Sequence, residues 1–377
     1  MKLVNATIIT PNKVIEKGVI EIDSQRIKKI KTDQSDIGVD CKGYRVFPGF
    51  IDMHVHGTNQ ADFMDASTES IETILSNLPK EGTTSLLATT MTESIENIEK
   101  ALIALANMKE YSGSRLLGVH LEGPFINSDY QGAQNINHIK QGTIDLYERF
   151  KKASNNMIKL ITLAPEIQTD EFINHIINDG VILSMGHSSA SHDEVVKARE
   201  LGIKRVTHCY NAMRHLHHRE IGLTGAALLY DDINIELIAD LKHVSKPALE
   251  LAYKLKKNTI QLVSDSIRGK NMPDGMYDLG GQTVHVKNQL PYTEKGVIAG
   301  STLALNKAAK HMFDITKDNV ILSHMLSTHQ AQELGINHEL GSIEEGLMAD
   351  LVIVDQDFNV MMTIIKGEII YQSEAFS

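Results

Sequence analysis

The period of apolar and polar positions changes twice along this chain. Residues 1 to about 47 alternate in short runs, Leu3-Val4 to Ile8-Ile9, Val14 to Ile22 and Ile27 to Ile30, with turn residues such as Pro11-Asn12 and Asp23-Ser24 between them. Alternation of this kind marks strands. The far end repeats it in Leu351-Val352-Ile353-Val354 and in Met361 to Ile370, which is broken at Lys366-Gly367. Neither end is long enough for a good core of its own. The two are therefore expected to pair into one small β domain, residues 1–47 with 344–377, with Gly341 to Gly346 marking the return.

Between them the pattern switches back and forth. Eight apolar runs read as strands: Arg45 to Ile51, Ser85 to Ala88, Leu116 to Val119, Lys159 to Leu163, Val181 to Met185, Arg205 to Val206, Ile233 to Ile238 and Ile260 to Val263. Most are separated by helical stretches. Thr68 to Leu78 places Ile71, Ile74, Leu75 and Leu78 on one helix face, and Ser94 to Met108 does the same with Ile95, Ile98, Leu102, Leu105 and Met108. Strand-helix alternation repeated eight times predicts an α/β fold, a (β/α)₈ barrel over residues 48–343. The alternative is an open doubly wound sheet, which gathers ligands at one switch point and not around a ring.

The barrel reading matters because residues that bind divalent metals fall at the ends of these runs. They are His54 and His56, then Glu122, His187, His208 and Asp265. Imidazole and carboxylate suit zinc, iron, cobalt and manganese. A barrel enzyme builds its site from the carboxyl ends of different strands. Alternate residues of an extended segment point the same way, so both imidazoles of His54-Val55-His56 can face one ion. Glu122 precedes Gly123-Pro124, a sharp turn, and its other reading is a plain turn carboxylate. Two histidines, a carboxylate and an open position make a catalytic metal site. Cys209 alternates away from the His208 face and reads as a packed thiol. Asp265 can act as acid and base beside the ion, or only orient its ligands.

Composition narrows the substrate class. The chain has 377 residues, 42% hydrophobic and 23% charged, with net charge −11. That balance disfavours nucleic acid and anionic membrane surfaces as partners, and an anionic small substrate would need a local cationic pocket. No run approaches the ~20 apolar residues of a membrane span, and the first residues carry no signal-peptide core. Two cysteines give no disulfide framework and suit a reducing compartment, so a cytoplasmic protein is expected.

At these residues the chain resembles the amidohydrolase superfamily and, within it, the N-acetylglucosamine-6-phosphate deacetylases. The resemblance covers nearly the whole length. It rests on Pro48 to Asp52, His120 to Phe125, Gly186-His187-Ser188, Thr207-His208 through Asn211-Ala212-Met213, His218-Arg219-Glu220, Asp265 with Ile267-Arg268, Met272 to Gly275, and Ala299 to Thr302. It implies a TIM-like barrel beside a small β-sandwich made from both chain ends, a homodimer, and one or two ions per subunit, with zinc the first choice. Glu122, His187 and His208 would hold the main ion. His54 and His56, with Asp265 and a share of Glu122, would hold a second. Asp265 matches the acid/base. Asn211, Ala212, Ala133 and Gln134 match sugar contacts, and Ile298, Ala299 and Gly300 match a stretch near the acetyl group. Arg219 and His243 match the phosphate grip, the arginine coming in relatives from the neighbouring subunit. Some relatives place histidine where Gln134 stands. The expected reaction is deacetylation of N-acetylglucosamine 6-phosphate. The alternatives are the galactosamine epimer, hydrolysis of cyclic amides or N-acyl amino acids, and a non-enzymatic scaffold, which would have lost metal ligands.

Overall fold

The computed structural model describes residues 1–32 and 37–376. Eight parallel strands follow one another around a barrel in chain order. They are β1 Phe50–Val55, β2 Thr83–Thr90, β3 Arg115–Glu122, β4 Ile158–Leu163, β5 Ile182–Met185, β6 Arg205–Val206, β7 Asn234–Leu237 and β8 Ile260–Leu262. A parallel bridge from Val55 to Ser266 closes the ring. Strands covered on both faces carry near-continuous buried residues, and every residue of β1 and of β2 is buried.

Helices wrap the outside. Thr68–Asn77 buries Ile71, Ile74 and Leu75, and Ser67 caps its N-terminus by accepting from Ser70 N. Ile95–Ala106 buries Ile98, Leu102 and Leu105, and Ser94 accepts from Asn97 N. Both follow the apolar spacing, which sets the face that meets the barrel.

The first strand differs from the expected Arg45–Ile51. Arg45–Pro48 pairs with Lys2–Ile9 and Leu351–Val354 in the outer sheet, and the barrel strand begins only at Phe50. Gly49 is the crossover. A Cβ there would lie 2.1 Å from Thr84 Oγ1 and 2.8 Å from Thr84 Cβ, so only glycine lets the chain pass from one sheet to the other. One consequence is that His54 lies inside β1, and only His56 follows it.

The outer sheet has eight strands drawn from both chain ends, with Glu368–Gln372 at one edge and Arg26–Lys31 at the other. Leu3, Ile8, Ile20 and Ile27 from the front of the chain pack with Leu351, Ile353, Met362 and Ile364 from the back. A three-stranded insertion, Gly275–Leu279, Gln282–Lys287 and Leu290–Thr293, follows β8. Among the described residues, no helix is long and apolar enough to cross a membrane.

Candidate active site

The carboxyl ends of β1, β3, β5, β6 and β8 bring six side chains together. Glu122 is the last residue of β3, and His187 and His208 lie two residues beyond β5 and β6. Asp265 follows β8 and is anchored to β1 by its N–H, which donates to His54 O at 2.8 Å. His187, His208 and Asp265 adopt φ of 48°, 29° and 48°. Left-handed backbone is uncommon outside glycine and gathers at functional sites. Here it turns three side chains inward at the barrel mouth.

Glu122 is the hub. Its Oε1 lies 3.1 Å from His187 Nε2, 3.2 Å from His208 Nε2 and 3.6 Å from His54 Nε2. Its Oε2 lies 3.2 Å from His56 Nε2. Asp265 Oδ1 is 3.4 Å from His54 Nε2 and 3.3 Å from His56 Nε2. Burial opposes charge on His54, His56, His208, Glu122 and Asp265, but their mutual contacts prevail. His56 is lifted to about 9 against its burial by hydrogen bonds with Asp265 and Glu122. Burial also works against the Glu122 anion, yet His54, His187 and His208 hold it well below the usual carboxylate range. Asp265 is lowered in the same way by His54 and His56.

These residues fit a divalent cation. The ligand atoms of His54, His56 and Glu122 lie within 4.8 Å of one another, as do those of Glu122, His187 and His208. His187 Nε2 and His208 Nε2 face each other at 3.2 Å beside one carboxylate oxygen. His187 Nδ1 contacts the carbonyl of Tyr130 at 2.9 Å, so it must be the protonated nitrogen and Nε2 the free donor. His54 Nδ1 lies 3.0 Å from Glu236 Oε2, which favours the same tautomer.

A cavity of about 280 Å³ opens over the cluster. His56, Glu122, His187, His208 and Asp265 form its floor, and Ala133, Gln134, Asn211, Ala212, His243, Ile298 and Gly300 line its walls. Gly300 adopts φ +59°, and a Cβ there would lie 2.5 Å from Ile267 Cγ2. Gln134 is tied down more firmly than a plain sugar contact: its Nε2 donates to Glu122 Oε2 at 2.8 Å and its Oε1 accepts from Thr92 N at 2.7 Å. His243 Nδ1 pairs with Asp240 Oδ2 at 2.7 Å, leaving Nε2 for a ligand. Three of the expected residues lie outside the cavity lining, the first being His54, which is fully buried against Glu122 and Asp265. Ala299 is fully buried, packed with Met91, Ile267 and Leu279. Arg219 stands on the exposed loop after β6, its Nη1 2.8 Å from His218 Nε2.

Sequence reasoning passed over Glu236, Tyr130 and Asp240. A glutamate in the middle of the apolar run Ile233 to Ile238 was the available signal for the first. Nothing local marks a backbone carbonyl such as that of Tyr130. Cys209 is a free, buried thiol, pushed up to about 12 by burial.

Residues 45–370 match the amidohydrolase family model. The N-acetylglucosamine-6-phosphate deacetylase of Bacillus subtilis (strain 168) is 38% identical over 97% of this chain and 96% of its own length. The N-acetylgalactosamine-6-phosphate deacetylase of Escherichia coli O157:H7 is 33% identical over 85% of this chain and 86% of its own length. The crystal structure of the Thermotoga maritima N-acetylglucosamine-6-phosphate deacetylase superposes with a TM-score of 0.89 at 35% identity, covering 99% of this chain and 100% of that one.

Proposed function

The chain belongs to the amidohydrolase family, and from that premise we propose that it removes the acetyl group from N-acetyl-D-glucosamine 6-phosphate, giving D-glucosamine 6-phosphate and acetate. The observation that carries this reading is the convergence of Glu122, His56, His187, His208 and Asp265 on the floor of one cavity, with His54 fully buried against Glu122 and Asp265. The relatives' activities supply the substrate class.

In this reading Glu122, His187 and His208 hold the main divalent ion, and His54 and His56 hold a second with Asp265. Zinc heads the candidates, with iron, cobalt or manganese equally compatible with a nitrogen and carboxylate donor set. When bound, such an ion polarises the acetamide carbonyl and lowers the pKa of a water molecule. The protein's own residues do the rest. Asp265 takes the proton as water oxygen bonds to the carbonyl carbon. It returns that proton to the sugar nitrogen as the C–N bond breaks, so the amine leaves neutral. His187, with its Nδ1 proton held by the Tyr130 carbonyl, keeps Nε2 turned to the ion that would meet the charge developing on the carbonyl oxygen. Asn211, Ala212, Ala133 and Gln134 hold the sugar, and Ile298 to Gly300 flank the acetyl group. His243 and Arg219 grip the phosphate, and that remote binding aligns the amide for attack.

Arg219 lies outside the cavity lining, so the reading includes a homodimer in which the arginine comes from the neighbouring subunit. Residues 48–343 are read as the catalytic barrel and 1–47 with 344–377 as its β domain. Two buried free cysteines fit a reducing compartment, which for this enzyme is the cytoplasm. The E. coli relative favours the galactosamine epimer as the second reading.

The test is acetate release from both 6-phosphate epimers and from their unphosphorylated forms, with metal analysis of the same sample. The gluco phosphate should turn over fastest. Equal rates with unphosphorylated sugars, or a metal-free protein of full activity, would sink the reading.

A further inference from the structure

A chain of buried charge runs from the catalytic cluster down into the barrel. His54 Nδ1 meets Glu236 Oε2 at 3.0 Å, and both side chains are fully buried. Glu236 Oε1 accepts from Arg205 Nη2 at 2.6 Å. Arg205 is itself without exposure and continues to Gln261 Oε1 at 2.7 Å and to Glu333. Glu236 Oε2 also accepts the backbone N–H of His208 at 3.1 Å. One carboxylate therefore touches both halves of the site, the ring of His54 and the backbone that carries His208.

Stability does not account for these charges. Well-packed apolar residues usually serve a barrel core as well as a buried ion pair or better. A carboxylate on the outer nitrogen of a ligating imidazole, by contrast, fixes its tautomer and raises its donor strength. We propose that Glu236, held in place by Arg205, is the positioning residue of the His54/His56 half of the site, presenting His54 Nε2 to its ion and setting the affinity there.

The proposal rests on the metal reading above, so the experiment separates the two. Metal content and affinity are measured by chelator competition on purified full-length protein. His54→Ala identifies the ion that depends on this half. Glu236→Gln keeps size and shape and removes the charge. It should weaken the His54-dependent ion by about 10–100-fold, the usual effect of losing such a partner, and leave the other ion within about threefold. Arg205→Met combined with Glu236→Leu and Glu333→Gln replaces the pair by apolar groups and removes the charge that Arg205 would otherwise leave unpaired, covering the case in which Glu236→Gln fails to fold. It should melt like wild type when metal-free and show the same selective loss. If whichever variant folds holds both ions at wild-type affinity while His54→Ala loses one, the relay is wrong and the metal reading stands. Weakening of both ions equally, with a lowered melting temperature, also overturns it in favour of a structural role. A wild-type protein that binds no metal, or whose metal content ignores His54→Ala, overturns the ligand assignment and the relay with it.

Discussion

At the scale of single residues, the sequence spacing identified which side chains could meet but not what turns them inward. Asp265 shows the difference. Its φ of 48° is paid for by backbone bonds on both sides, its N–H to His54 O at 2.8 Å and its carbonyl accepting Ser301 N at 2.7 Å. Asparagine tolerates left-handed backbone as well as aspartate does. Asp265→Asn should therefore fold, keep those backbone bonds and retain the ion held by Glu122, His187 and His208. What it loses is the proton carrier, and kcat should fall by about 10²–10⁴. Steady-state acetate release with metal analysis checks this, and a variant within severalfold of wild type would remove Asp265 from the chemistry. The six clustered side chains were legible because each imidazole or carboxylate stands within or just after an apolar run. Glu236 was harder to see, because its partners Arg205 and His54 are distant in sequence and only the closed ring brings them together.

At the scale of elements, periodicity located seven of the eight barrel strands, because residues buried on both faces leave continuous apolar runs. It misjudged the first, since Arg45–Pro48 and Phe50–Val55 are both wholly buried and nothing in their composition separates them. Only the contact of Gly49 with Thr84 does. Gly49→Ala would bring its Cβ to within 2.8 Å of Thr84 Cβ, which no side-chain rotation relieves. Overpacking of this kind costs about 1–3 kcal/mol, to be read from denaturant unfolding. The active-site residues of the folded fraction should be unaffected, and a loss below about 0.5 kcal/mol would mean that the junction relaxes freely. The three-stranded insertion was legible too, in the alternation of Gln282 to Lys287 after Gly280-Gly281, but was not read. It brings Leu279 to the cavity and ties down its rim, Gln282 Nε2 donating to Ala133 O at 2.8 Å.

At the scale of the whole molecule, net charge −11 makes the binding of a dianionic sugar phosphate a problem that a specific cation must solve. Within one chain the cavity offers His243, whose Nδ1 is already committed to Asp240. Arg219 has the planar fork of donors that fits phosphate oxygens, yet it stands exposed on the loop after β6 with Leu216 also exposed beside it. A second subunit that covers this loop and receives its arginine reconciles these facts. Two consequences follow from that arrangement. Arg219→Ala should cut kcat/KM sharply for the 6-phosphate sugar and barely change the slow reaction of the unphosphorylated one; an equal loss with both would make Arg219 structural. The second consequence is complementation. Arg219→Ala subunits keep Asp265 but lack the partner's grip, and Asp265→Asn subunits keep Arg219 but cannot move the proton. Unfolded and refolded together, half of the dimers formed at random are hybrids, each with one site that has both groups. Activity well above the mean of the two parents is the expected result. A mixture no more active than that mean, with hybrid dimers demonstrated, would place Arg219 on its own subunit's site.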